Sequence, residues 1–148
     1  GKRNADQIGS YLAENSILPD VILCSAATRA QETLSLIRPY LPEDQSLEII
    51  NELYLASAVT IVKFIEQVDE SANSVMIIAH NPGLHELALN IAGRENIGIS
   101  PLLNRVMQKY PTCALAIATS ETQNWENITE SRSSLIDFVC PKDLHPAI

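Results

Sequence analysis

An unbroken run of small and apolar residues, Val75-Met76-Ile77-Ile78-Ala79, stops at His80-Asn81-Pro82-Gly83. Such a run, bounded by turn residues, reads as a strand buried on both faces. Asn81 suits a helix N-cap and Pro82 the first helical position. Leu84, Leu87, Ala88 and Ile91 then recur at helical spacing as an apolar stripe. The segment predicts a strand, a tight turn and a helix, with His80 at the strand's carboxyl end. In open α/β sheets ligands gather at that end, and the adjoining helix N-terminus favours an anion. Two readings of His80 stand open at this point: a ligand-contacting residue, or a core or capping histidine.

The chain has 148 residues, suited to one domain over 1–148 with a sizeable core. Hydrophobic residues make up 46%, which excludes a disordered chain. No apolar run is long enough to span a membrane, and no signal peptide is visible. A net charge of -8 and a pI of about 4.7 argue against nucleic-acid or membrane-surface partners. A small anionic substrate stays compatible, because its site needs only a few local cations. Cys24, Cys113 and Cys140 are widely spaced and lie in or beside apolar runs. They read as buried reduced thiols of a cytoplasmic protein, with no metal site or disulfide framework. Asn127-Ile128-Thr129 fits a glycosylation pattern by coincidence, since no secretory signal accompanies it.

The chain begins at Gly1-Lys2-Arg3, inside what reads as the start of a helix, with neither an initiator methionine nor a leading strand. A further N-terminal segment is expected ahead of it. Ala5, Ile8 and Leu12 predict a helix over about 3–14. Val21 to Cys24 reads as a strand, Ser25 as an N-cap, and 26–38 as a helix with Ala30, Leu34 and Ile37 inward. Leu47 to Ile50 is a candidate strand and 57–68 a helix. Pro101 to Gln108 reads as a short helix, Cys113 to Ala118 as a strand, and Leu135 to Val139 as a last, antiparallel strand. Residues 141–148 read as a tail. Strands alternate with helices for most of the length, so the class is α/β with a largely parallel sheet.

A second stretch, Cys24-Ser25-Ala26-Ala27-Thr28-Arg29-Ala30-Gln31-Glu32-Thr33, repeats the strand, cap and helix logic. Arg29 falls in the first helical turn, where the helix dipole favours acids. A cation there calls for a partner. One reading is an oxyanion held by both the guanidinium and the helix N-terminus; the other is a surface carboxylate.

Taken together, Ser25-x-x-x-Arg29-Ala30-x-x-Thr33 and a strand ending His80-Asn81-Pro82-Gly83 resemble the histidine phosphatase superfamily, and within it the SixA-type phosphohistidine phosphatases. The likeness runs over essentially the whole chain. Gly1-Lys2-Arg3-Asn4-Ala5 is similar to that branch's first-helix start, and Leu18 to Ile22 to its approach to the second strand. Tyr110-Pro111-Thr112 with Ala114 to Ala118, Trp125, and Pro141-Lys142-Asp143-Leu144 resemble its later strands and ending.

The resemblance implies a phosphoglycerate mutase-like fold: a three-layer α/β/α sandwich whose mostly parallel sheet has one antiparallel strand. The implied order is 3-2-4-1-5-6, the fifth strand being antiparallel. It also implies a metal- and cofactor-independent phosphatase in which a histidine attacks phosphorus and water then releases phosphate. Arg29 takes the place of the arginine that grips two phosphoryl oxygens, and His80 that of the second histidine, a hydrogen-bond donor to the transferring group. The implied partner is a phosphorylated protein or a small phosphomonoester. The Arg-His-Gly or Arg-His-Ala motif that carries the nucleophile is not in the sequence, and neither His85, within a helix, nor His145, in the tail, replaces it. Residues 1–148 by themselves are therefore expected to lack turnover. The absent first strand would lie between the strands at 75–79 and 113–118, holding them roughly 9–10 Å apart. Glu52 stands near the place where some branches keep an acidic proton donor. Two other functions compete: a catalytically silent phosphate- or protein-binding module, and a phosphoglycerate mutase-like phosphotransferase. The short link from Pro39 to Glu52 leaves little room for the insertions that mutases carry.

Overall fold

Alternate residues of the strand β1 (Val21–Ser25) enter different cores. Ile22 and Cys24 pack with the helices α1 (Lys2–Glu14) and α2 (Thr28–Ile37), while Leu23 packs with α3 (Ala58–Glu66) and α4 (Gly83–Ala92) on the other face. The strand β3 (Val75–Ile78) divides in the same way, Met76 and Ile78 to the first side and Val75 and Ile77 to the second. A period of two along buried strands builds three layers, helix, sheet, helix. This computed structural model describes residues 2–144.

The strand β2 (Ser46–Ile50) pairs in parallel with β1, and β1 in parallel with β3, giving the order β2-β1-β3. The strands β4 (Leu115–Ser120) and β5 (Ser133–Val139) form a separate antiparallel pair with a register shift at Ile117/Ala118. Both sheets lie under the same helices. The α1 residues Ile8 and Leu12 share a cluster with Ile22 of β1 and Val139 of β5. The hydroxyl of Tyr11 donates to Asp137 on β5, which raises the tyrosine pKa to about 12. On the opposite face Leu87 of α4 joins the β1 and β3 cluster, whereas Leu89 and Ala92 pack with Phe138 of β5. The helix α5 (Pro101–Gln108) adds Leu103 and Val106 to that second group.

One sandwich thus contains two sheets, and no strand of the first is hydrogen-bonded to a strand of the second among the described residues. This bears on the expected burial of β3. All four of its residues are half-buried, while Ile22 to Ser25 of β1 are buried. Among the described residues β1 has a neighbour on each edge and β3 on one. The strand at Val75 is therefore not buried on both faces as its apolar run suggests.

Three local expectations are corrected. Asn81 is not the cap of α4: Pro82 holds the N-cap position after a cis Asn81-Pro82 peptide, and the Asn81 amide donates to the Tyr110 carbonyl at 2.9 Å. Ser25 is the last residue of β1 and not the cap of α2, whose N-cap is Ala27. β4 begins at Leu115, not Cys113, because Cys113 has a φ of 61°, which a strand cannot accommodate. Helix ends behave as expected where a hydroxyl is well placed: Ser57 accepts from the Thr60 amide and Ser100 from that of Leu103. Of the cysteines, all free, Cys24 and Cys140 are buried and Cys113 half-buried. Gly1 and His145 lie outside the described residues, as does the rest of the tail from 145; Pro141–Asp143 forms a short 3-10 turn.

Candidate active site

The parallel register between β1 and β3 ends with Cys24 opposite Ile78. Ser25 and His80 therefore leave the sheet together at its carboxyl edge. Their side chains meet there: Ser25 Oγ lies 2.8 Å from His80 Nε2. A bend at Ala26 and Ala27 then starts α2, of which Arg29 is the second residue and exposed. The chain after β2 makes a 3-10 turn over Asn51–Leu53 and delivers Tyr54, whose ring stands edge-on to the His80 ring with centroids 5.5 Å apart. Three βα connections so contribute to one spot, as expected where parallel strands end.

His80 is half-buried, and its pKa lies below 6.5. Burial is the larger cause, since it disfavours the imidazolium. The Arg29 charge is the second cause, which places the guanidinium close enough to repel a proton on the ring. The sign follows directly. A histidine whose folded pKa is depressed favours folding fully above about 6.5, and that contribution is lost as pH falls through the folded value. We expect the His80 ring resonances of the folded protein to titrate with a midpoint below 6.5. A midpoint at or above 6.5 would remove the Arg29 neighbourhood from the account.

The other candidates fall elsewhere or do other work. His85 is half-buried in α4, with its Nε2 2.6 Å from the Val106 carbonyl, where it ties α4 to α5. Glu52 is exposed in the turn that precedes Tyr54. Among the described residues, no group of three His, Cys, Asp or Glu side chains is placed to hold a metal ion. Two members of the cluster, Ser25 and Tyr54, were not singled out by their chemistry. Ser25 reads locally as a helix cap, and Tyr54 carries no signal in the sequence beyond its place two residues after Glu52. Only the parallel register of β2, β1 and β3 shows that these segments meet.

Solved structures with this architecture are known. A protein from Nakamurella multipartitia, assigned as phosphohistidine phosphatase SixA, superposes with a TM-score of 0.82 at 19% identity, over 95% of this chain and 81% of its own. An Agrobacterium tumefaciens protein with the same assignment gives 0.75 at 26% identity, over 95% and 80%. The protein histidine phosphatase SixA complexed with tungstate gives 0.74 at 19%, over 97% and 82%. The chain has the SixA-type fold of the histidine phosphatase superfamily.

No family model matches the chain. By sequence, it is similar to an uncharacterized protein of Mycobacterium tuberculosis, 26% identical over 142 residues, 96% of this chain and 86% of the relative. An uncharacterized Mycobacterium leprae protein is 25% identical over 142 residues, 96% and 84%. The parallel set β2-β1-β3 and the antiparallel pair β4-β5 are the two parts of the order expected from the sequence that the described residues form. Among the described residues no helix is long and apolar enough to cross a membrane.

Proposed function

We propose that this chain is the SixA-type domain of a phosphatase acting on a protein-borne phosphohistidine or on a phosphomonoester. The observation that carries the reading is the placement of His80 and the Arg29 charge together at the carboxyl edge of a parallel sheet. Phosphoryl transfer asks mainly for positioning and for stabilisation of charge on the equatorial oxygens. Arg29 would grip two of those oxygens through its guanidinium fork, and His80 would donate a hydrogen bond to the same group.

The nucleophile belongs, in this proposal, to a strand lying between β3 and β4. Among the described residues β3 and β4 each have one edge without a paired strand, and unpaired backbone groups inside a sandwich are costly. A histidine at that strand's carboxyl end would emerge beside His80. It attacks phosphorus, the bond from phosphorus to the leaving nitrogen or oxygen breaks, and the leaving group takes a proton. Water then attacks the phosphohistidine, releasing inorganic phosphate and regenerating the imidazole. No step calls for a metal. Free thiols and the acidic surface suit a cytoplasmic enzyme whose partner is a phosphorylated protein and not a nucleic acid.

The test uses the intact protein with a histidine-phosphorylated protein, an aryl phosphate and 3-phosphoglycerate in parallel. Release of phosphate from the first two, in the presence of chelator, is the expected result. Phosphate exchange between positions of the phosphoglycerate would point to a mutase. Binding without turnover of any of them would make the domain a recognition module.

A further inference from the structure

We propose that Ser25 is a positioning residue that fixes the tautomer of His80, so that the imidazole meets a substrate through Nδ1–H and not through Nε2–H. The idea rests on the reading of His80 as a phosphoryl contact. Its physical basis is a count of hydrogen-bonding capacity at a buried hydroxyl.

Ser25 is 0% exposed, a polar residue in an otherwise apolar core. A serine hydroxyl has one hydrogen to donate and two lone pairs to accept with. One lone pair takes the Ala27 amide at 3.2 Å. His80 Nε2 is at 2.8 Å, and no other side-chain or backbone acceptor is bonded to Ser25 Oγ among the described residues. If Nε2 carried the hydrogen, Oγ would accept twice and its own hydrogen would point into the core with no acceptor. A buried donor left unmade is expensive. If the hydroxyl donates instead, every group is satisfied and Nε2 is the acceptor. The ring hydrogen of neutral His80 then sits on Nδ1, which has no hydrogen-bond partner among the described residues.

The tautomer matters because the other one would offer a lone pair where the substrate brings an oxygen lone pair. The groups around the ring act in the same direction. Arg29 from α2 brings a positive charge, Tyr54 brings an aromatic edge, and no carboxylate bonds either ring nitrogen among the described residues. The neutral ring is favoured, so its tautomer is the property left to control. The Ser25 hydroxyl favours the neutral ring as well, since an imidazolium needs no donor at Nε2.

The experiment is a long-range proton–nitrogen correlation on the intact protein with nitrogen-15 histidine, above the His80 midpoint. His80 assigns by its absence from His80→Gln. Expected is a protonated Nδ1 and an acceptor-type Nε2. In Ser25→Ala the ring should move toward the Nε2–H tautomer and its midpoint should rise by about one pH unit. Turnover should fall about tenfold in kcat, with KM little changed. Ser25→Thr, which keeps the hydroxyl, should hold both tautomer and midpoint. A wild-type ring protonated at Nε2 overturns the proposal, whether or not any variant folds. So does a Ser25→Ala ring with unchanged tautomer and midpoint. If the tautomer follows Ser25 but His80→Gln turns over normally, the control of the ring stands and the phosphatase role of His80 fails.

Discussion

Replacing Arg29 by alanine in the intact protein should lower kcat/KM on an aryl phosphate by about 10³-fold, close to 4 kcal/mol of transition-state stabilisation. Folding should survive. The Arg29 side chain is exposed and makes no ion pair or hydrogen bond among the described residues, and the Thr33 hydroxyl bonds the Arg29 backbone carbonyl, which the substitution keeps. A cation without a protein partner at the start of a helix, beside a histidine it repels, is poorly placed for stability. Its position makes sense when an anion binds there. Arg29→Lys separates charge from shape: it keeps the positive charge and loses the bidentate fork, so its turnover should fall between the two. Equal turnover in all three proteins would strip Arg29 of its role.

Gly83→Ala should be the most damaging small substitution near the site, lowering unfolding stability by roughly 3 kcal/mol. A Cβ on Gly83 would stand 2.0 Å from the Ala56 carbonyl oxygen and 3.1 Å from its carbon. Those are backbone atoms just before α3, so no rotamer change relieves the clash. Gly83 opens α4, and the Leu84 amide bonds the His80 carbonyl at 3.0 Å. The strain would therefore reach the histidine directly. Urea unfolding checks the magnitude, and a change under 1 kcal/mol would mean that the α3 to α4 approach is looser than described. The glycine was legible in the sequence as a turn residue only. The need for no side chain there comes from Ala56, 27 positions earlier in the chain.

That contrast runs through the whole molecule. Helix α5 matches its sequence reading from Pro101 to Gln108, because a serine cap, a proline at the first position and an amphipathic face all agree. The parallel class and the antiparallel last strand were legible from apolar runs and the helices between them. The errors fall where a residue's local preference is overridden by a distant contact. Ser25 and Asn81 are both good caps in isolation. Ser25 instead serves His80, 55 residues away, and Asn81 reaches the Tyr110 carbonyl, 29 residues away. Arg29 and His80 could be named because their motifs are local. Tyr54 could not, since what makes it part of the cluster is its 5.5 Å approach to His80. The apolar run Val75 to Ile78 does not by itself report half-burial; the strand that the resemblance implies between 75–79 and 113–118 does, because β3 then keeps one edge unpaired among the described residues.

The central claim is covalent transfer of a phosphoryl group at the edge where Arg29 and His80 meet. Rapid acid-free quenching of the intact protein, mixed with a protein phosphorylated on histidine with phosphorus-32, tests it most directly. The account predicts a transient label on the enzyme that is stable in base, lost in acid, and greatly diminished in Arg29→Ala. Phosphate released at the wild-type rate with no enzyme label at any time, or no release at all, would contradict it.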